Sequence, residues 1–380
     1  MKVVLFCQSL ASDWNHGNAH FLRGVARELI ARGHTVVSYE PRDGWSRANL
    51  VREHGAAAID DYRRAFPELA GISTLYDLRT LDLDAALDGA GLVLVHEWSD
   101  PELVRRIGRV RAAGGAFRLL FHDTHHRSAT RPEAMGRYDL SDYDGVLAFG
   151  SVIRDLYLER GWTARAWTWH EAADARLFRP LEAQREGDLV WVGNWGDGER
   201  TAELAEFLLE PVRELRLRGS VHGVRYPPRA RRTVAGAGLA YRGWAPNHRV
   251  PELFARHSIT VHVPRRPYAE ALPGIPTIRP FEALACGIPL VSAPWHDAEG
   301  LFTPGEDYLV ARDGAEMMRQ LDRVLQDREL AAHLAEHGRA TILARHTCAH
   351  RADELLAIAR EPGPGGDSSS DAVLLGGRGA

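Results

Sequence analysis

A repeated alternation of strand, loop and helix patterns constrains the fold of this chain more than any other feature. Residues 3–7 have the apolar composition of a buried strand, residues 18–32 place apolar side chains at helical spacing, and residues 35–39 form the next strand. Residues 189–217 begin the same pattern again, with a strand, a glycine-rich loop and a helix. Units of this kind build parallel, doubly wound sheets. We therefore predict an α/β fold with two Rossmann-like domains.

Polar composition and weak periodicity mark the boundaries of these domains. Residues 170–187 contain charged residues and a proline but no regular apolar spacing, which indicates an interdomain linker. We predict a first domain over residues 1–169 and a second over residues 188–346, with their strand ends facing each other across a cleft. Residues 361–380 are rich in Gly, Ser and Pro, so we predict a disordered tail there.

Lysine is almost absent, which excludes two classes of cofactor and phosphate chemistry. Lys2 is the only lysine, and the other 46 of the 47 basic residues are arginine. Because Lys2 begins the first predicted strand, it is poorly placed to form the Schiff base that pyridoxal phosphate requires. A Walker-type Gly-Lys-Ser/Thr loop is also missing from the sequence. We expect no pyridoxal phosphate and no other resident cofactor.

Net charge and cysteine content limit which kinds of partner and which cellular compartment fit this chain. The net charge of −4 gives no general attraction to nucleic acid or to an anionic membrane. Cys7, Cys286 and Cys348 are far apart and odd in number, so neither a disulfide framework nor a CxxC metal site fits. No signal peptide is visible, and no apolar run approaches the ~20 residues of a membrane span. We expect a cytoplasmic protein without an integral membrane segment.

The segment 272–294 is the strongest candidate for a binding site. A loop rich in Pro and Gly, which includes Gly274, leads into a short apolar helix over residues 281–286. Free N–H groups at a helix N-terminus bind anions. Arg279 suits a phosphate, and the carboxylate of Glu282 suits paired sugar hydroxyls or simply balances the helix dipole. We expect five residues of this segment to bind a sugar nucleotide: Gly274, Ile275, Thr277, Arg279 and Glu282.

A second glycine-rich loop over residues 193–200 follows a predicted strand and opens a helix. Gly193 would let the backbone approach a phosphate, and Asn194 and Arg200 are the polar groups nearby. The alternative is an ordinary tight βα turn. Arg225 comes directly after another strand, where it would either reach a diphosphate or belong to a solvated basic loop.

His122 ends a strand of the first half, where α/β folds place ligands. It is predicted to donate a hydrogen bond to a sugar or to carry a proton, although a loop-capping role is the alternative. Asp123, His125 and His126 follow closely. Because neighbouring side chains on a strand end alternate in direction, these residues do not converge, and we expect no metal site.

Two further strand ends of the first half carry candidate cleft residues. His96 and Glu97 either line the cleft or cap the helix that begins at Pro101. The first βα loop contains His16 and Gly17, and Gly17 would allow a substrate to come close to the helix start. We take His16, His96, Glu97 and Asp123 as candidates for the acceptor side of the cleft.

Residues 281–291, Phe-Glu-Ala-Leu-Ala-Cys-Gly-Ile-Pro-Leu-Val, resemble the donor-site motif of nucleotide-sugar glycosyltransferases of the two-Rossmann GT-B fold (glycosyl transferases group 1). The closest fit is the CgeB-like, or spore maturation, group. The resemblance implies that Glu282 binds the nucleotide ribose as the second Glu of a Glu-x7-Glu motif. The first Glu, which touches the donor sugar in relatives, falls at Gly274 and is missing.

The resemblance also implies roles for residues outside this motif. His122 would lie near the transferred sugar and Gly17 near the donor phosphates. Asn194 and Arg200 stand where relatives place an Arg and a Lys on the phosphate loop, so arginine must supply the charge. The last helix, over residues 347–360, would cross back onto the first domain.

Taken together, the resemblance implies a hexosyltransferase-type glycosyltransferase that acts with retention and without a metal ion. Its partners would be a nucleotide-sugar and a sugar, lipid or small-molecule acceptor, and nucleic acid is not expected. Two alternatives stay open. One is a nucleotide-sugar epimerase on the same fold, and the other is a non-catalytic sugar-nucleotide-binding protein, which the missing Glu at Gly274 would favour.

Overall fold

The computed structural model describes residues 1–362, which form two parallel β-sheets. The first sheet has seven strands in the order β3-β2-β1-β4-β5-β6-β7. All its pairings are parallel, and β1 and β4, which lie next to each other, are apolar and buried along most of their length. The strands are β1 (Lys2–Phe6), β2 (Thr35–Pro41), β3 (Ser73–Tyr76), β4 (Ala90–His96), β5 (Arg118–Asp123), β6 (Gly145–Ala148) and β7 (Ala166–Thr168).

Helices connect these strands and cover both faces of the sheet. The first helix buries Phe21, Leu22, Val25 and Leu29, whose spacing places them on one face. The helices of this half are α1 (Asn18–Ala31), α2 (Trp45–His54), α3 (Ala57–Ala65), α4 (Leu83–Leu87), α5 (Pro101–Ala112), α6 (Arg127–Thr130), α7 (Pro132–Met135) and α8 (Ser151–Glu159).

The second sheet has six parallel strands in the order β10-β9-β8-β11-β12-β13. In both sheets the first strand of the half is central and the chain winds outward on either side. This arrangement confirms the predicted α/β fold with two Rossmann-like sheets. The strands are β8 (Gly187–Val192), β9 (Gly219–His222), β10 (Leu239–Gly243), β11 (His257–His262), β12 (Leu290–Ser292) and β13 (Leu309–Val310).

The helices of the second half include one irregular segment. The helix predicted after the glycine-rich loop is interrupted by a π-helical turn over Ala205–Leu209, and Pro211 is the second residue of the α-helix that follows. The α-helices are α9 (Thr201–Leu204), α10 (Glu210–Leu215), α11 (Pro228–Gly236), α12 (Val250–Ala255), α13 (Arg266–Ala271), α14 (Ile278–Ala285), α15 (Gly314–Gln326), α16 (Arg328–Arg345) and α17 (Cys348–Arg360), and a 3-10 turn covers Asn247–Arg249.

The segment between the two sheets pairs with the residue that precedes the last described helix. Ala173 forms a parallel bridge with Thr347, which caps α17 by accepting from the N–H of His350. The helix α17 then packs against α1, as predicted. The contact is close, because a Cβ on Gly24 would lie 3.0 Å from the Cβ of Cys348. The domain boundaries themselves stay a prediction.

The predicted tail falls almost wholly outside the described residues, since residues 363–380 are not described. Its first two residues are described and make contacts with the first sheet. Arg165 pairs with the Glu361 carboxylate and donates to the carbonyl of Pro362 at 2.7 Å. Within residues 1–362, no helix has both the length and the apolar character needed to cross a membrane.

Candidate functional site

A cavity of about 1140 Å³ lies between the two sheets, where the carboxyl ends of their strands face each other. The loops after β1 to β5 form one wall, and the loops after β8, β9 and β11 form much of the other. This is the position at which open α/β sheets bind ligands. The cavity is large enough for a nucleotide with an attached sugar.

Asp13, in the loop after β1, holds the two walls of the cavity together. Its carboxylate accepts hydrogen bonds from Trp244 Nε1 and from the backbone N–H of Asn247, both at 3.0 Å. The same carboxylate pairs with the buried Arg23 at 2.9 Å. One residue of the first half therefore fixes the position of a loop in the second half.

Glu282, predicted to bind a ribose, lies beneath the cavity surface and is completely buried. The N–H of Asp174 donates to Nε2 of His20, so Nδ1 of that ring carries the proton and donates to Glu282 at 2.8 Å. Asn247 Nδ2 donates to the same oxygen at 2.8 Å, and Arg279 pairs with the other. Three protein groups occupy this carboxylate, and the prediction that it faces a ligand is corrected.

The pKa of Glu282 is consistent with a carboxylate that these three protein groups hold. Burial alone would raise its pKa, but the charge of Arg279 and the hydrogen bonds from His20 and Asn247 outweigh burial and lower the pKa. The carboxylate is therefore ionised at neutral pH and joins α14 to α1. It orients Arg279, which does line the cavity.

Gly274 and Ile275 are also placed differently from the prediction, since neither lines the cavity. Gly274 has a φ of +89°, and its N–H donates to the carbonyl of His296 at 2.7 Å. A Cβ at Gly274 would lie 2.6 Å from the carboxylate of Glu299, which fills that space. Ile275 is buried against Gly150 of the first half. Ile275 therefore contacts the first half, Gly274 packs within the second half, and neither faces the cavity.

The N-termini of α1 and α14 face each other across one end of the cavity. Gly17 precedes α1, and a Cβ there would lie 3.3 Å from Cγ2 of Ile278, the first residue of α14. Thr277 precedes α14 with a φ of +65°. Gly17, Thr277 and Arg279 all line the cavity, and their role in donor binding stays a prediction. Two helix N-termini at one point create a strongly positive potential for an anion.

The glycine-rich loop after β8 brings a free cation to the same cavity. Gly193, Asn194 and Arg200 all line it. The Arg200 guanidinium donates to the carbonyls of Asn194 at 2.6 Å and Val263 at 3.1 Å. In contrast to Arg279, it pairs with no carboxylate in the part of the chain that the structure describes. Burial and the neighbouring Arg265 lower its pKa to about 10, so it stays charged at neutral pH.

Arg225 lies at the rim of the cavity and is already paired. Its φ is +61°, and its guanidinium forms an ion pair with Asp197 at 2.9 Å. The guanidinium carbon lies 5.8 Å from the ring centroid of Trp45 across the cleft. Arg225 is therefore less available to an anion than Arg200.

His122, predicted to be catalytic, is completely buried behind the cavity wall. Its ring lies 4.9 Å from the ring of Trp169 and 5.2 Å from that of His96. Neither ring nitrogen has a hydrogen-bond partner within residues 1–362. Burial lowers its pKa to about 3, so the ring is neutral at physiological pH. The position of His122 contradicts a direct contact with a sugar.

The other cleft candidates of the first half, His16 included, are buried as well. His96 bonds Thr124 Oγ1 at 3.2 Å, Glu97 pairs with Arg127, and Asp123 accepts from Tyr157 at 3.0 Å. Neither His96 nor Glu97 lines the cavity or caps α5. The cap is Asp100, which accepts from the N–H of Glu102 at 2.8 Å. His96, Glu97 and Asp123 therefore lie beneath the cavity surface, where the sequence predicted residues that line the cleft.

His16 lines the cavity as predicted, and its Nε2 has no partner among the described residues. Burial and the charge of Arg23 lower its pKa to about 4, so it is a neutral donor or acceptor at physiological pH. His125 also lines the cavity, although the sequence pointed to His122. Across residues 1–362 no three or more His, Cys, Asp or Glu side chains are grouped to hold a metal ion.

Glu171 is the cavity residue that sequence reasoning missed most clearly, because it lies in the predicted linker. Its carboxyl lines the cavity, is 7% exposed, and accepts from Asn18 Nδ2 at 3.3 Å. Burial and the charge of Glu282 raise its pKa to about 7, against the opposing effects of Asn18 and Arg279. An acidic residue just after the last strand of the first sheet was the available signal. Other missed cavity residues are Asn18, Trp45, Trp98, Trp244, Asn247 and His262.

Comparisons with known proteins agree with this geometry. Residues 200–357, most of the second half, match the model of a family described as glycosyl transferase-like. A search of curated proteins found no matching sequence.

Solved structures match the chain over nearly its whole length. Sucrose-phosphate synthase from Thermosynechococcus elongatus is 14% identical, with a TM-score of 0.64 over 95% of this chain and 98% of its own. A glycosyltransferase from Rickettsia africae is 10% identical, with a TM-score of 0.66 over 94% and 97% of the two chains. The Anabaena protein HepE, solved with UDP-glucose, is 14% identical, with a TM-score of 0.63 over 94% and 99%. These similarities confirm the GT-B fold.

Proposed function

We propose that this protein is a glycosyltransferase that uses a nucleotide-sugar donor. The observation that carries the proposal is the convergence of three positive groups on one cavity: the guanidinium of Arg200 and the N-termini of α1 and α14. A cation that is bonded only to carbonyls, next to two helix N-termini, is a site for a multiply charged anion such as a diphosphate.

The same groups support a mechanism for sugar transfer. As the bond between the sugar and the diphosphate breaks, negative charge grows on the departing phosphate. We propose that Arg200 and the free backbone N–H groups at the start of α14 stabilise that charge. Arg279 also lines the cavity, where its ion pair with Glu282 fixes its position and offsets part of its charge. Because these groups can carry the charge themselves, we propose transfer without a metal ion. Retention of configuration is proposed only from the resemblance of residues 281–291 to the donor-site motif of GT-B glycosyltransferases.

Similar proteins suggest the donor class. HepE was solved with UDP-glucose, and the family model that matches residues 200–357 describes glycosyl transferases. We therefore propose a UDP-hexose as the first donor to test. The motif over residues 281–291 supports a place in the CgeB-like group. Three buried, unpaired cysteines are consistent with the reducing cytoplasm that we propose as its compartment.

One observation favours a second candidate, a sugar-nucleotide-binding protein without catalysis. Gly274 has no carboxylate of its own, and Glu299 occupies the neighbouring space without lining the cavity. The carboxylate that touches the donor sugar in the family it resembles is therefore not at that position. This candidate predicts tight nucleotide binding and no release of nucleoside diphosphate from the donor.

Thermal shift with four nucleotide-sugars tests the proposal. UDP-glucose, UDP-N-acetylglucosamine, GDP-mannose and dTDP-glucose are added separately, because a ligand that binds the folded state raises the melting temperature. Release of nucleoside diphosphate, measured with and without saccharide acceptors, then separates a transferase from a silent binder. An altered nucleotide-sugar formed without any acceptor would instead identify an epimerase.

Arg200→Ala is the decisive variant. Loss of hydrogen bonds to a charged group predicts an affinity for the best donor that is about 10- to 100-fold weaker. Arg200→Lys keeps the charge and should lose less, and Arg216→Ala, an exposed residue outside the cavity, is the control. No shift with any of the four ligands, or an unchanged affinity in Arg200→Ala, would refute the proposed site.

A further inference from the structure

The wall of the cavity that belongs to the first half exposes two tryptophans. Trp45, at the start of α2, is 45% exposed, and Trp98, after β4, is 41% exposed. Among the large apolar side chains that are exposed in the described part of the chain, these two alone line the cavity. Single exposed apolar side chains are common on protein surfaces, but two tryptophans on one cavity wall are informative, because apolar patches mark ligand-binding grooves.

Both rings are held in fixed orientations. Trp45 packs edge to face against Trp14, with ring centroids 5.0 Å apart, and Trp14 Nε1 donates to Glu53 at 2.8 Å. Trp98 lies beneath the guanidinium of Arg127, whose central carbon is 3.9 Å from the ring centroid. The two rings are therefore rigid surfaces, and a ligand that binds them does not have to order them first.

Three carboxylates, Asp43, Asp77 and Asp100, line the same wall, and Asp43 and Asp100 each lie two residues from one of the tryptophans. Asp77 uses one oxygen to accept from the N–H of Arg79 at 2.9 Å, and Asp100 uses one oxygen to cap α5. The second oxygen of each has no hydrogen-bond partner within residues 1–362. Carboxylate oxygens accept hydrogen bonds from hydroxyl groups, and here they share the wall with flat apolar rings.

We propose that this wall binds a carbohydrate acceptor, with Trp45 and Trp98 as stacking surfaces and Asp43, Asp77 and Asp100 as hydroxyl acceptors. A pyranose has an apolar face of C–H groups and an edge of hydroxyls, which matches this combination. This proposal rests on the proposed glycosyltransferase activity only in naming the bound carbohydrate as the acceptor of the transferred sugar. The binding surface itself stands on the geometry of the first half.

Two other classes of acceptor fit the wall less well. A lipid chain needs a continuous apolar surface, whereas three carboxylates together with Arg42 and Arg79 interrupt this one. A nucleic acid would bring phosphates against those carboxylates, and their mutual repulsion opposes binding. A neutral polyol avoids both penalties, and a saccharide of two or more rings could contact both tryptophans.

The test measures saccharide binding directly, without any donor. Saturation-transfer difference NMR is recorded with glucose, maltose, cellobiose and chitobiose on the full-length protein, and with farnesyl phosphate in detergent as the lipid comparison. Trp98→Ala and Trp45→Ala are each expected to weaken saccharide binding at least about tenfold, since each removes an apolar stacking surface. Trp98→Phe should restore most of the affinity, because it keeps an aromatic face.

Leu343→Ala provides the matched control, since Leu343 is exposed but does not line the cavity. Donor binding, followed by thermal shift, should be the same in all four variants. The proposal is overturned if no saccharide binds, if only farnesyl phosphate binds, or if saccharide affinity is unchanged in both alanine variants. Saccharide binding with no response to any nucleotide-sugar would instead refute the proposed function and leave the carbohydrate surface standing.

Discussion

Glu171→Gln provides a sharp test of the cavity electrostatics, because this substitution removes an ionisable group and changes little else. Glu171 is 7% exposed, and one of its oxygens accepts from Asn18. Burial is the largest cause of its raised pKa, and the charge of Glu282 adds to it. Asn18 and Arg279 oppose the rise, and the pKa settles at about 7, compared with an ordinary value of 4.5. Gln has the shape of the protonated acid and cannot ionise.

The size and sign of the expected stability difference follow from the linkage between protonation and folding. Below pH 4.5 the carboxyl is protonated in both the folded and the unfolded chain, so wild type and Glu171→Gln should be similarly stable. Between pH 4.5 and about 7 the unfolded chain ionises first, which destabilises the folded wild type progressively as pH rises. Above about pH 7 the difference is complete and corresponds to about 3 kcal/mol in favour of the Gln variant.

Urea unfolding at a series of pH values measures this difference directly, since other titrating groups are common to both proteins. Glu299→Gln is the matched control with the opposite sign. Burial would raise the pKa of Glu299, but His170 and the N–H of Ser151 outweigh burial and lower it. Its Gln variant should therefore lose stability at neutral pH. A gap between wild type and Glu171→Gln that does not change with pH would refute the reasoning.

Three further predictions concern packing and ion pairing. Asp13→Ala leaves the buried Arg23 without its carboxylate, so urea unfolding should show a loss of about 3–5 kcal/mol; a loss below about 1 kcal/mol would contradict this. Gly24→Val forces atoms into the contact with Cys348, and the stability should fall by about 1–3 kcal/mol, with an unchanged melting temperature as the contrary result. His122→Leu should keep both its melting temperature and its nucleotide-sugar affinity, because neither ring nitrogen has a partner in the described residues; a large fall in either would restore a polar role.

The fold could be predicted from the sequence because its signals are local. Helical spacing of apolar residues in α1 and apolar runs in the strands depend only on residues close in the chain. The helix predicted at residues 18–32 and the strand predicted at residues 35–39 lie within two residues of α1 and β2. The π-helical turn at Ala205–Leu209 was missed, since nothing in the local apolar spacing distinguishes it from a regular helix.

The site was predicted only in part, because its details depend on contacts between distant residues. Thr277 and Arg200 line the cavity, because each lies in a loop that opens a helix of the second half, and their role in ligand binding stays a prediction. Glu282 was misplaced, because His20, which lies 262 residues away, occupies its carboxylate. His122 was misplaced for a similar reason, since Trp169 and His96 cover its ring. A sequence shows which residues follow a strand but not what fills the space in front of them.

The predicted linker also shows that a sequence pattern alone does not reveal which residues form the site. Residues 170–187 lack periodicity, and that pattern correctly indicated an irregular segment. Irregular segments can nevertheless be held firmly and carry function. Here Glu171 lines the cavity and Ala173 pairs with Thr347, so the segment is part of the site and of the scaffold.

The contact between α17 and α1 also decides how this protein could be recombined with relatives. The last described helix, α17, packs in the half where the chain began, so the described part of that half is discontinuous in sequence. A chimera with a single junction between the sheets would join α1 to a foreign final helix, and Gly24 would face a side chain other than Cys348. Exchange of the donor half alone therefore needs two junctions, one between Thr168 and Gly187 and one just before Thr347.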